Sequence, residues 1–101
     1  MNASENTAAP FVRQGRVAVI TWSNPPVNGI SFALRQHVSA GLDAAMADAD
    51  IDAIVLTGDG RMFSGGADIR EFNTPKSTAE PTTPQLIWRI EHLGKPVVAA
   101  I

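Results

Sequence analysis

Apolar positions recur along this chain at two different periods, and the switches between them mark out its elements. The segment Arg16-Val17-Ala18-Val19-Ile20-Thr21-Trp22 is rich in β-branched residues, which suit the pleated surface of a strand. A turn at Gln14-Gly15 predicts that it pairs with residues 11–13. Ser23-Asn24-Pro25-Pro26 ends the strand, because two prolines donate no ladder bonds and do not enter a helix interior. Ser31 is then a favourable N-cap. Behind it Leu34, Val38, Leu42, Ala45, Met46 and Ala49 share one face of a helix predicted over 32–48. Arg35, Gln36, Asp43 and Asp48 are expected to lie away from that stripe.

Residues 51–56, Ile-Asp-Ala-Ile-Val-Leu, form a short apolar run that stops at Thr57-Gly58-Asp59-Gly60. Strand, helix and short β-branched strand together predict a β-α-β unit of an α/β fold, its sheet buried on both faces. A short helix is predicted over 68–72 and a mobile surface loop over 73–84, where Pro75, Pro81 and Pro84 interrupt any period. Leu86, Ile87, Ile90 and Leu93 return to helical spacing over 85–93, with Gly94 as C-cap. Residues 96–101, Pro-Val-Val-Ala-Ala-Ile, begin another buried strand. Because the chain ends inside that strand, it reads as part of a longer polypeptide that should be marginally stable or aggregation-prone alone. Residues 1–9 are polar and aperiodic and read as a disordered lead-in to the folded segment 10–101.

Composition narrows the function classes. With 45% hydrophobic and 18% charged residues the chain is globular, and its net charge of -2 gives no footprint for nucleic acid or an anionic membrane. There is no cysteine, so disulfides, thiolate metal sites and a cysteine nucleophile are excluded. His37 and His92 are isolated, so no metal site is expected. No secretory pattern or bilayer-length apolar run is seen, and the expectation is a cytoplasmic protein with no membrane partner.

The densest chemical signal is Arg61-Met62-Phe63-Ser64-Gly65-Gly66-Ala67-Asp68-Ile69-Arg70. Adjacent glycines permit positive φ and close approach to a ligand. Free N–H groups at a following helix start can hold a developing negative charge, which is the physics of half an oxyanion hole. Other motifs fail. Ala67 stands where a P-loop needs lysine, Phe63 where a dinucleotide fingerprint needs its third glycine, and Met62 where a nucleophile elbow needs its first. On the residues alone, an ordinary glycine-rich turn is the commoner explanation. Asp68 reads as a helix cap, Glu71 and Glu91 as solvated, and Trp22 and Trp88 as core or interface packing.

Three segments in order alter that balance. Asn24-Pro25-Pro26-Val27-Asn28-Gly29-Ile30-Ser31, Phe63-Ser64-Gly65-Gly66-Ala67-Asp68-Ile69-Arg70 and Lys95-Pro96-Val97-Val98-Ala99-Ala100-Ile101 resemble the N-terminal signatures of the enoyl-CoA hydratase/isomerase (crotonase) superfamily. The resemblance runs from about residue 11 to the end, and is greatest to the hydratase part of bifunctional fatty-acid β-oxidation enzymes, which also carry a dehydrogenase. It implies a crotonase-type fold of repeated ββα units, of which this is the N-terminal part. It also implies that the Ala67 N–H is one of two donors to the thioester oxygen of an acyl-CoA. Gly65, Gly66, Ala67, Asp68, Ile69 and Arg70 would line the CoA site, with Val27 and Gly29 flanking it and Arg70 reaching phosphate.

The implied reaction is hydration of trans-2-enoyl-CoA to 3-hydroxyacyl-CoA, with coenzyme A as part of the substrate and no separate cofactor. Two departures stand out. Pro26 occupies a position where the family often has lysine, and Gly65-Gly66 replaces a common Ala-Gly. The family's second oxyanion donor and its two glutamates follow the strand at 96–101, so the fragment is expected to be inactive alone. Isomerase or other crotonase chemistry, and non-catalytic binding of a CoA thioester, are the alternatives those glutamates would decide. A homo-oligomer of the full-length enzyme is compatible with the resemblance.

Overall fold

The computed structural model describes residues 10–101; the lead-in expected over 1–9 lies outside them. β1 (Val12–Gln14) and β2 (Val17–Trp22) form a hairpin that turns at Gly15, whose φ of +61° is open to glycine. α1 (Phe32–Ala47) then crosses to β3 (Ala53–Gly58). A single-turn 3₁₀ segment at Ile69–Glu71, a second at Pro75–Ser77 and α2 (Thr83–Glu91) lead to β4 (Val97–Ala100). The sheet order is β1-β2-β3-β4, antiparallel at the hairpin and parallel thereafter.

The α/β class is as predicted, and so is the core of the crossover unit. Ala18, Ile20, Trp22, Ile54 and Leu56 point to one face, where Leu34, Val38, Leu42 and Ala45 of α1 cover them. Ser31 caps α1 as expected, its Oγ accepting from the Leu34 N–H at 3.1 Å. At the other end, Lys95 Nζ donates to the carbonyls of Ala45 and Asp48 at 2.8 Å each, closing the helix C-terminus from the doorstep of β4.

Several expectations are corrected. The sheet is not buried on both faces among the described residues. Burial alternates along β2 and β3, and Val12, Val19, Val55 and Val98 form a cross-strand row on the uncovered face, with Val98 57% exposed. β3 starts at Ala53 rather than 51; Ile51 is buried before the strand begins. Met46 is exposed and Ala49 lies beyond the helix end, so the stripe of α1 closes at Ala45. Arg35, expected to lie away from the apolar stripe, is itself buried.

The loop over 73–84 is less free than its prolines suggested. It contains the 3₁₀ turn, and three of its carbonyls accept from Arg35. α2 begins at Thr83, not 85, because Thr82 and Gln85 form a capping box and Pro84 sits in the first turn, where its missing N–H costs nothing. His92, not Gly94, is its C-cap. Trp88 is 62% exposed and stacks on His92 at 4.1 Å, so it does not belong to the core; Trp22 does, tilted against Phe63 at 4.7 Å. No helix of the described residues is long and apolar enough to cross a membrane.

Candidate functional site

Two loops that leave the same ends of β2 and β3 meet beside the N-terminus of α1. The first, 23–31, follows β2, and the second, 59–68, follows β3. Backbone bonds stitch them together: Gly65 N–H donates to Val27 O at 2.7 Å and Ile30 N–H to Gly66 O at 2.8 Å, giving a parallel bridge between Ile30 and Ala67. Of the two adjacent glycines, Gly66 alone takes positive φ, at +102°. Gly65 serves the close approach instead, since a Cβ there would come within 3.1 Å of the Val27 side chain.

Side chains complete the seam. Asn28 is buried with φ +54°, a left-handed conformation that asparagine tolerates. Its amide donates to the Asp59 and Met62 carbonyls at 2.9 Å each, and its Oδ1 accepts from the Asn24 N–H at 2.9 Å. Ser64 Oγ donates to Asn28 O at 2.8 Å. Asn24 Nδ2 bridges the loops by donating to Gly29 O at 2.7 Å and to Asp68 Oδ2 at 3.0 Å.

Asp68 caps the 3₁₀ turn, as the sequence predicted, accepting from the Arg70 N–H at 3.0 Å. Arg70 clasps the same carboxylate through Nε at 2.9 Å and Nη2 at 2.8 Å. That guanidinium, helped by Asn24, holds the Asp68 carboxyl well below the usual carboxylate range, against the burial that would raise it. Asp68 is therefore ionised and fully engaged; it is not poised to exchange protons. Glu71 is not solvated as expected. Both of its oxygens accept from the Phe32 N–H, at 2.9 and 3.2 Å, capping α1 from a neighbouring segment.

Of the residues singled out in the sequence, Val27, Gly29, Gly65, Ala67, Asp68, Ile69 and Arg70 line one cavity of about 380 Å³, together with Asn24 and Pro26. Gly66 is not among its lining residues and contributes the backbone bond to Ile30. Arg70, expected to reach phosphate, is largely committed to Asp68, although its side chain is 62% exposed and Nη1 takes no acceptor among the described residues. The Ala67 N–H likewise donates to nothing among the described residues. An apolar-walled cleft with free backbone amides along its lining, that of Ala67 among them, suits a ligand with a carbonyl oxygen more than a cation. Among the described residues no cluster of His, Cys, Asp or Glu could hold a metal.

Asn24, Asn28 and Ser64 are the contributors that sequence reasoning left without roles. Their signal was available, because buried loop asparagines between strand ends commonly bond backbone.

The fold and paired loops are those of a crotonase-type α/β protein. Residues 12–101 match the sequence model of the family described as Enoyl-CoA hydratase/isomerase, and the chain belongs to that family. It is 41% identical over 90 residues to a probable enoyl-CoA hydratase of Bacillus subtilis (strain 168), covering 84% of this chain and 35% of that protein. It is 47% identical over 85 residues to the peroxisomal bifunctional enzyme of Danio rerio, covering 84% and 12% respectively. Among solved structures, an enoyl-CoA hydratase/carnithine racemase from Magnetospirillum magneticum superposes with a TM-score of 0.78 at 28% identity, covering 90% of this chain and 37% of that one. The chain thus spans little more than a third, or less, of each of these three proteins.

Proposed function

We propose that the complete gene product hydrates trans-2-enoyl-CoA to 3-hydroxyacyl-CoA in fatty-acid β-oxidation. This segment supplies one wall of the thioester site and one of its two oxyanion donors, the Ala67 N–H. The observation that carries the reading is that free amide, fixed by the Ile30–Ala67 bridge at the edge of a cavity built from both signature loops.

As water adds its oxygen to the β-carbon, the electron pair of the double bond moves through the α-carbon onto the thioester oxygen. A pre-aimed N–H stabilises that enolate more than the ground-state carbonyl, and one such donor is worth roughly 3 kcal/mol of barrier. Protonation of the α-carbon completes the addition. The proton-exchanging carboxylates are expected beyond residue 101, since Asp68 is held ionised and occupied by Arg70 and Asn24. Residues 1–101 alone should consequently show no turnover.

The test is to give the complete gene product a trans-2-enoyl-CoA and a 3-enoyl-CoA and follow products by mass. Gain of water on the first supports hydration. Conversion of the second to the 2-enoyl isomer without hydration selects the isomerase alternative. Saturable binding with neither reaction selects a non-catalytic CoA-thioester-binding protein.

A further inference from the structure

Arg35 has no part in the function so far, yet its side chain donates four hydrogen bonds, all to backbone carbonyls beside the site. Its side chain is 3% exposed. Nε donates to Pro81 O at 2.7 Å, Nη2 to Lys76 O at 2.6 Å and Ala79 O at 3.3 Å, and Nη1 to Ile30 O at 3.3 Å. The Glu71 carboxylate lies 3.9 Å from Nη1. A guanidinium removed from water needs its donors occupied, and here backbone carbonyls from separate stretches of chain do so.

Those stretches converge on the proposed donor. Ile30 is the residue bridged to Ala67. Glu71 follows Ala67 by one short turn and caps α1 through the Phe32 N–H. The segment at 76–81 continues a wall, through Thr74, Pro75 and Lys76, of a second cavity that shares Asn24, Asp68 and Arg70 with the first. One planar side chain thus bonds the Ile30 side of the bridge and the segment beside it, with the Glu71 carboxylate, four residues beyond Ala67, within ion-pair distance. Lysine, a compact ammonium with three donors, could not span the same carbonyls.

We propose that Arg35 is a positioning residue for the thioester site. It fixes the aim of the Ala67 N–H through Ile30 and Glu71, and holds the 76–81 segment against the site. This rests on the acyl-thioester reading given above.

The test uses the complete gene product with Arg35→Met and Arg35→Lys. Arg89→Met serves as control, because Arg89 bonds Ser39 and Asp43 on the far part of α1. The probe is a chromophoric trans-2-enoyl-CoA thioester whose absorbance moves to longer wavelength when its carbonyl is polarised. Arg35→Met is expected to lose most of that shift and to bind the thioester about tenfold more weakly, the scale on which loosened positioning costs affinity. Arg35→Lys falls between, Arg89→Met matches wild type, and free CoA, lacking the carbonyl, binds all four alike.

A folded Arg35→Met protein with the full shift and unchanged thioester affinity overturns the proposal. Should Arg35→Met not fold, Arg35→Lys and Glu71→Gln take its place, and unchanged shifts in both overturn it equally. No shift in wild type would instead sink the acyl-thioester reading, and this inference with it.

Discussion

The core between α1 and the sheet is buried and the seam between the two loops partly so, and they are held by different physics. In the core, Ile20, Val38, Leu42 and Ile54 are fully removed from water and contribute through non-directional burial. In the seam, the polar atoms of Asn24, Asn28, Ser64 and Asp68 are each spent on particular partners: backbone groups of the two loops, and one another with Arg70. The core therefore sets whether the chain folds. The seam sets where a single N–H points, and it should tolerate far less chemical change for the same loss of stability.

Leu42→Ala should separate the two. It leaves a cavity against the sheet and should cost about 3 kcal/mol in a denaturant melt, while the protein that remains folded binds a CoA thioester with wild-type affinity. Asn28→Ala should do the reverse. Losing the amide strands the Asp59 and Met62 carbonyls and places alanine at positive φ, a cost of about 2 kcal/mol, but thioester affinity should fall further than for Leu42→Ala. Equal affinity losses would show that the seam is no more than packing.

A smaller effect reads the electrostatics of the seam by pH. Arg70 and Asn24 depress the Asp68 carboxyl in the folded state, so its stabilising contribution is complete above the unfolded value of about 4 and fades as pH falls through the folded value. Asp48 and Asp52 are lowered too, Asp48 first by the Asp50 N–H and then by Arg13, and Asp52 by Arg16, but those pairs are exposed and weak. Asp68→Asn should therefore lower stability at neutral pH and flatten the acid side of the profile, the two proteins converging as pH falls through the folded value. An acid limb identical to wild type would mean that Asp68 is not the group titrating there.

How far the sequence reveals these regions follows from the same difference in physics. Burial leaves a period, and the period of Leu34, Val38 and Leu42 placed α1 to within a residue of its observed end. Directional bonds leave no period. Arg35 reads as lying off the apolar stripe and Glu71 as solvated, because their partners are backbone groups supplied by segments distant in sequence, at Pro81, Lys76 and Phe32. The start of α2 was written in the sequence as Thr82 and Gln85, but Pro84 between them drew attention as a breaker. The second face of the sheet was expected to be covered because parallel strands in α/β folds usually are; here the described residues leave its valine row open.

The most direct measurement compares affinities of the complete gene product for an acyl-CoA thioester and for the matching thioether, which keeps the CoA and the chain but has no carbonyl oxygen. If the Ala67 N–H and its partner donor hold that oxygen, the thioester should bind more tightly by about tenfold or more, roughly 1.4 kcal/mol. Equal affinity for the two would contradict the account, since it would mean that the cavity recognises CoA and chain while the free amide does nothing for the carbonyl.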